Sequence, residues 1–538
     1  MRKNRLYIMI VGLLIFTSCG EDYLQTHSYT ELNELTFYKT PKDAYNALVG
    51  VYDGFQRMYS SAFAVPTVTE VFSDNAFGGG GSADGYGGQL MDEFDQQRSP
   101  SDIRILEDNW INYYAGIFRC NALLGHLDGI DWGGNDALKN QYAGEARFIR
   151  AVAYFDLARL FENVVLLDKP SSENLPQANP DDVYKLIAED LVFAIQNIPA
   201  VTYANQPAAQ HGRITKWAAE AMLARAFLFY TGYYNKTDLA GVTKQQVLDN
   251  LEDLIQNSGH ALVSDFAKLW PAASLVDYAG EKNSENILNI KATYTGNYNG
   301  DMDGNQWLVM FGLRDGNYPP YGQGWGFGTV NPKLWNAFSD QDTRKVASIV
   351  SVADENLTAA GYGNSGQREY TGYFNKKYTP MSSVIMVGGQ NVAKSLAEQL
   401  GGVNFQIGQY QDFIMIRYAD VLLMAAELGS GNAQSYFDQV RQRAYKTNFS
   451  SIPVTPDNIM AERRLEFAGE GIRYWDLLRQ GVDVAASTIA ESASVLSGGV
   501  SATVTINANN IISKKGFQQI PNTQITLSNG VLKQNVGW

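Results

Sequence analysis

The chain has 538 residues, of which 45% are hydrophobic and 18% charged, the balance of a water-soluble protein long enough to bury a large core. Its formal net charge of −14 repels phosphate backbones and anionic headgroups, which argues against nucleic acid as a partner and against electrostatic attachment to lipid.

Arg2, Lys3 and Arg5 form a basic start, and the apolar run from Leu6 to Phe16 is too short to cross a bilayer as a helix. It ends at Thr17-Ser18-Cys19-Gly20, small residues before a cysteine. This resembles a bacterial lipoprotein signal with Cys19 as the first mature residue and the point of lipid attachment. The alternative is an ordinary signal peptide with an incidental cysteine. A lipid anchor supplies membrane binding through acyl burial, without a spanning helix. The other cysteine, Cys120, has no partner for an intramolecular disulfide and reads as a small buried apolar residue.

After an extended tether over 20–40, helical periodicity dominates. Pro41 starts a helix carrying Ala44, Tyr45, Leu48, Val49 and Tyr52. Ile105 to Leu127 and Ala143 to Phe161 are amphipathic, and Asp181 after Pro180 reads as the cap of a helix reaching Ile198. Thr215 to Tyr230 is alanine-rich, which permits close helix approach. From about Asn283 to Gly328 the chain turns to Gly, Asn, Tyr and Trp with no helical period, and a second glycine-rich loop spans Phe77 to Gly88. Helical signals return at Arg417–Glu427, Ala433–Tyr445 and Pro456–Gly481. Val482 to Gln519 reads as loop and short strands.

Several blocks, in order, carry a resemblance. They are WINYYAGIFRCN (110–121), GEARFIRAVAYFDLARLF (144–161), GRITKWAAEAMLAR (212–225), RYADVLLMAAE (417–427), ERRLEFAGEGIRYWDLLRQG (462–481) and the closing QNVGW. The set is similar to the SusD/RagB family of outer-membrane glycan-binding lipoproteins. Where that family usually has a Gly-Val-Pro-Leu turn, this chain has Glu162-Asn163-Val164-Val165-Leu166-Leu167, and it ends on Trp538 where Tyr is common.

The resemblance implies a mainly α fold: tetratricopeptide-like helix pairs packed against a loop-rich, partly irregular binding subdomain. No strict repeat of about 34 residues can be laid over the sequence. The expected organisation is a lipoprotein signal peptide over 1–18, a lipid-anchored tether over 19–40, an N-terminal helical part over 41–260 and a C-terminal part over 261–538. The last holds a glycan-binding excursion at about 283–400 and the closing helices. The resemblance further implies a cell-surface, outer-membrane protein that binds oligo- or polysaccharide, works with a SusC-like TonB-dependent transporter and catalyses nothing.

Sugars need aromatic faces for their C–H patches and polar groups for their hydroxyls. Tyr294, Tyr298, Trp307, Tyr318, Tyr321, Trp325 and Phe327 gather in the glycine-rich stretch, with Asn305, Arg314 and Asn317 as polar partners. Asp74, Asn75 and Tyr86 join them from the first loop by resemblance. About half of these rings are expected to pin the loop to the core instead.

Asn299, Asp301 and Asp303 resemble the start of a calcium loop, but Met310 stands where the bidentate Glu belongs, so a structural calcium remains only an alternative and no other cofactor is expected. Glu462, Arg463, Glu466, Glu470, Arg473 and Asp476 read as an ion-pair network reaching Arg417 and Asp420, not as catalytic acids and bases. Gly361-Tyr-Gly363-Asn-Ser-Gly366 matches a dinucleotide motif by letters without its strand–helix context. His27, His126, His211 and His260 show no metal spacing. Two rival readings remain. One is a lipoprotein glycoside hydrolase using Asp301, Asp303, Asp340 and Asp342. The other is a peptide-handling or adhesion lipoprotein.

Overall fold

Thr40 opens the first helix, α1 (Pro41–Met58). Its side chain accepts the Asp43 N–H while the Asp43 carboxylate accepts the Thr40 N–H, with Pro41 at the first helical position. The computed structural model describes residues 37–95, 105–296 and 303–538. Cys19, Tyr298, Asn299 and Asp301 lie outside them. Beyond α1 come α2 (Val65–Val71), β1 (Ala76–Gly79), α3 (Gly87–Glu93), α4 (Glu107–His126), α5 (Asp136–Phe161), α6 (Pro180–Asn197), α7 (Lys216–Tyr233) and α8 (Lys244–Asn257). The middle contributes β2 (Asn286–Ile290), β3 (Phe327–Val330) and a hairpin of β4 (Ser382–Val387) and β5 (Gln390–Ser395). The chain closes with β6 (Phe413–Arg417), α9 (Tyr418–Glu427), α10 (Ala433–Tyr445), α11 (Pro456–Glu466), α12 (Arg473–Leu478) and a second hairpin, β7 (Glu491–Ser497) and β8 (Val500–Ile506).

The fold is mainly α, and successive long helices pack in pairs: α4 on α1 and α5, α6 on α5 and α7, α8 on α7. The alanines of α7 explain its place at the centre. Ala218, Ala219, Ala221, Ala224 and Ala226 are fully buried, so its neighbours approach closely. One continuous core cluster runs from Ala44 to Leu532, which joins the N- and C-terminal halves. Cys120 is inside it, and burial pushes its thiol up to about 12, where it is unreactive.

Three local expectations are corrected. The cap of α6 is Asn179, whose side chain accepts the Asp181 N–H, so Asp181 is a first-turn residue. The helix expected over Pro456–Gly481 is two, because Gly469 and Gly471 both take positive φ. A Cβ on Gly471 would stand 2.8 Å from the Pro66 Cα and from the Thr69 Oγ1. Val482–Gln519 is not only loop and strand, since short helices Val482–Ile489 and Ala508–Ser513 flank the second hairpin.

A buried ion network ties the closing helices to the middle of the chain. Arg417 is 1% exposed and pairs with Glu285, Glu466 and Glu470. Arg443 pairs with Glu285 and Glu466; Arg344 with Asp342, Glu462 and Glu466; Lys377 with Glu470; Arg441 with Glu462. A second cluster joins Arg463 to Asp420 and Asp476, Arg225 to Asp420, and Arg479 to Asp476 and Glu427. The charged helix is structural, as its spacing predicts.

Two stability predictions follow from these buried charges. Arg417→Ala leaves the buried cluster of Glu285, Glu466 and Glu470 one cation short, with only Arg443, Arg344 and Lys377 facing it, and is expected to lower unfolding free energy by about 3–5 kcal/mol, read from the urea midpoint. The second concerns pH. Although burial alone would raise them, the arginines hold the Asp420 and Glu466 carboxyls far below their ordinary values. Their contribution is therefore full at neutral pH and fades as pH falls below about 4. Glu220 behaves oppositely: burial pushes it from 4.5 up to about 8, against the pull of Lys216. The native state keeps a proton there that the unfolded chain releases, so stability falls as pH climbs from 4.5 through about 8. Glu220→Gln is expected to flatten that slope and to raise the melting temperature at about pH 8 more than at about pH 5.

Candidate functional site

Two distant glycine-rich segments meet in one short sheet. β1 pairs antiparallel with β3, Ala76 opposite Val330 and Gly79 opposite Phe327. The loop after β1 folds back so closely that a Cβ on Gly78 would stand 2.4 Å from the Gly88 carbonyl carbon. Both positions need glycine for that reason.

The loops beyond this sheet are clamped by two side chains. Gln367 donates from Nε2 to the carbonyls of Gly80 (3.1 Å) and Gly326 (2.6 Å), joining both loops. Arg368 donates to the carbonyls of Ser82, Asp84 and Gly85 and to the Gln89 Oε1. Its guanidinium also lies 4.3 Å from the centre of the Tyr86 ring, which is 46% exposed.

Arg314 sits at the junction, half-buried. It donates from Nη1 to the Trp325 carbonyl (3.1 Å) and pairs with Asp84 (3.5 Å) and Asp315 (3.4 Å). Asp84 is itself held by the Gly81 N–H at 2.6 Å. Trp325 is half-buried, with its backbone N–H donating to the Val309 carbonyl at 2.7 Å. Phe327, also half-buried, meets Phe63 edge-on at 5.8 Å. Tyr318 is half-buried and edge-on to Tyr362 at 5.3 Å. Burial first, then the Asp315 charge, raise the pKa of its hydroxyl, so it stays a neutral donor. Asn317 Oδ1 accepts the Gln323 N–H at 2.9 Å and holds this turn.

These groups place part-covered rings near a cluster of one arginine and two aspartates, Arg314 with Asp84 and Asp315. They can stack the C–H side of a ring and exchange hydrogen bonds with hydroxyls.

Other sequence-selected residues fall elsewhere. Trp307 is fully buried in a short helix, Trp307–Phe311, and packs on Phe311, Tyr378 and Phe413. Tyr321 is 2% exposed, and its hydroxyl bonds the Glu355 carboxylate. Neither ring is presented to solvent, so the expectation that they stack sugar is corrected. Each fills a cluster that holds the loop, where an aromatic buries the most area. Asp74 and Asn75 are also buried: Asp74 pairs with Arg464 and Arg473, and Asn75 bonds Glu70 and Arg464. They anchor β1 to α11 and α12 and do not face solvent. Asn305 is buried too, donating to the Gln411 carbonyl. Tyr294 is half-buried and stands by the loop at Gly401, away from the clamp made by Gln367 and Arg368.

The calcium candidate Asp303 accepts the Thr295 hydroxyl at 3.1 Å; its companions Asn299 and Asp301 lie outside the described residues. The hydrolase candidates lose two members to structure. Asp342 is buried against Arg344, and Asp340 pairs with Lys345 at the surface.

Sequence reasoning missed Phe63, Asp84, Asp315, Tyr362, Gln367 and Arg368. A signal existed for the last two, because Gly361–Gly366 stood out as a glycine-rich loop. Its letters matched the wrong motif, while its backbone flanks the clamp: the Gly366 carbonyl accepts the Ser82 N–H.

Comparison with known proteins agrees with this picture. A family model described as "SusD family" matches residues 276–538, and one described as "Starch-binding associating with outer membrane" matches residues 22–228. A SusD-like protein of Bacteroides ovatus is 23% identical over 503 residues, covering 88% of this chain and 82% of its own. Among solved structures, a "Laminarin binding SusD-like protein" superposes with a TM-score of 0.69 at 29% identity, over 93% of this chain and 100% of its own. "Surface glycan-binding protein A from Bacteroides thetaiotaomicron in complex with laminarihexaose" superposes with a TM-score of 0.72 at 24% identity, over 92% and 100%. The two family models lie one after the other without overlapping and together cover most of the chain, which therefore belongs to the SusD family.

Proposed function

We propose that this chain is a cell-surface receptor that captures oligo- or polysaccharide on the face formed by Trp325, Phe327, Tyr318, Tyr86, Arg314, Asp84 and Asp315. It performs no chemistry on the glycan. It hands the glycan to a SusC-like TonB-dependent transporter and is held at the outer membrane by lipid on Cys19. No helix among the described residues is long and apolar enough to cross a membrane, which suits attachment through a lipid.

The observation that carries this reading is the clamped ring face. Its rings are half-covered, its backbone is fixed by Gln367 and Arg368, and its Arg314 is paired with the two carboxylates of Asp84 and Asp315. An arginine already paired with two carboxylates disfavours an acidic glycan, and laminarin is the natural first ligand, given the name of the structure at 29% identity.

Affinity electrophoresis and titration calorimetry against laminarin, starch, xylan and a peptide mixture test the proposal. The intact chain is expected to be retarded by at least one glycan and by no peptide. Trp325→Ala and Tyr318→Ala are each expected to weaken retention about tenfold, on the order of 1.4 kcal/mol. Trp307→Ala should instead lower the melting temperature, since its ring packs the core. Retention of peptides alone would favour the adhesion reading, and sustained release of reducing sugar would revive the hydrolase. Loop order is part of the same reading. Arg368→Ala frees the carbonyls of Ser82, Asp84 and Gly85, and is expected to speed amide exchange across 82–88 while leaving α5 and α7 protected.

A further inference from the structure

A second recess lies between α1 and the segments 209–213 and 289–291, a cleft of about 480 Å³ that shares no residue with the ring face. That volume falls within the roughly 300–1,000 Å³ typical of small-molecule sites. One wall is α1, where Tyr45 is 42% and Val49 is 50% exposed. Tyr52 completes it. Its hydroxyl donates to Glu145 (2.7 Å) and accepts the Ile214 N–H (2.9 Å), which fixes its ring.

The opposite wall is polar, and its charges cancel. Arg213 pairs with Glu145, and Lys291 pairs with Asp412. Burial, then the Lys291 charge, keep His211 below its ordinary pKa and neutral. Asn289 lines the cleft and is 4% exposed. Its Nδ2 donates to the Glu281 carbonyl (3.0 Å) and to the Asp412 Oδ2 (3.4 Å), while its Oδ1 is buried without a hydrogen-bond partner. An orphaned acceptor in a cleft is satisfied by a donor brought from outside.

The requirements are an apolar ring face, hydroxyl donors and no net charge. We infer that this cleft is a second carbohydrate site, one that takes a mono- or disaccharide of neutral sugar. The apolar side of the ring lies on Tyr45 and Val49, and a hydroxyl donates to Asn289 Oδ1. Ligands with a carboxylate are disfavoured, because both cations of the cleft are already paired.

Ligand-observed saturation-transfer NMR on the intact chain tests it, with methyl β-glucopyranoside, methyl β-galactopyranoside, laminaribiose and methyl β-glucopyranosiduronate as probes. Val49→Trp fills the cleft from an exposed helix position, and Trp325→Ala removes a ring from the other face. Transfer to at least one neutral probe is expected. It should persist in Trp325→Ala and fall about fivefold or more in Val49→Trp. No transfer to any neutral probe, indifference to Val49→Trp, or preference for the uronate would overturn the inference. Retention of polysaccharide in gels reports the ring face separately, so either site can fail without the other.

Discussion

Charge neutralisation in a place that water cannot reach is the constraint on which the fold rests. Arg344, Arg417, Arg441, Arg443 and Lys377 face Asp342, Glu285, Glu462, Glu466 and Glu470, cation matched to anion one for one. Desolvating such groups is unfavourable, and attraction compensates only when the geometry is close and the remaining donors are used. Arg417 meets both conditions, donating to three carboxylates and to the Glu466 carbonyl. The guanidinium fork is rigid, so the register of every segment that supplies a partner is set along with it. Those segments include the approach to β2, the loop before Arg344, the stretch at Lys377, α10 and α11.

From that network the contacts run outward to the ring face. Gly469 and Gly471 donate their N–H groups to Glu70, which also accepts from Asn75. Burial raises the Glu70 pKa, and these hydrogen bonds oppose the rise. Asp74, the residue before Asn75, is held by Arg464 and Arg473. The start of β1 is therefore fixed from behind, and β1 fixes β3 through pairing. Trp325 and Phe327 stand at the end of this chain of contacts. The loops carry rings while the helices carry the load, because a loop cannot define its own geometry and must borrow it.

The helices were legible in the sequence because amphipathic spacing is a local property. The same holds for α11, whose charges recur at helical intervals: Glu462 pairs with Arg344 and Arg463 with Asp420. Which rings face outward was not legible. Trp307 and Trp325 stand in the same glycine-rich stretch, and composition does not separate them. Their difference is made by Tyr378 and Phe413, distant in sequence, which close over Trp307. Asp74 and Asn75 were misread for a related reason, since their arginine partners lie almost four hundred residues away. Asp181 failed on a purely local point, because Asn179 two residues earlier competes for the cap and wins.

A half-covered ring is the form a sugar platform requires. A ring free on both faces samples many rotamers, and ordering it on binding subtracts from affinity. A ring covered on both faces, like Trp307, has nothing left to offer. Trp325 and Tyr318 lie between these limits, with the backbone of one bonded to Val309 and Arg314 and the edge of the other on Tyr362. In the proposed reading, Arg314 plays the matching part for polar contacts. Its two aspartates stand at 3.4 and 3.5 Å, longer than the best ion-pair distances, so each retains lone pairs for hydroxyl donors. A partly exposed cluster of this kind contributes little to stability, since exposed pairs are worth roughly 0–1 kcal/mol. Its position between loops that the buried network has already fixed suits the part proposed for it in recognition.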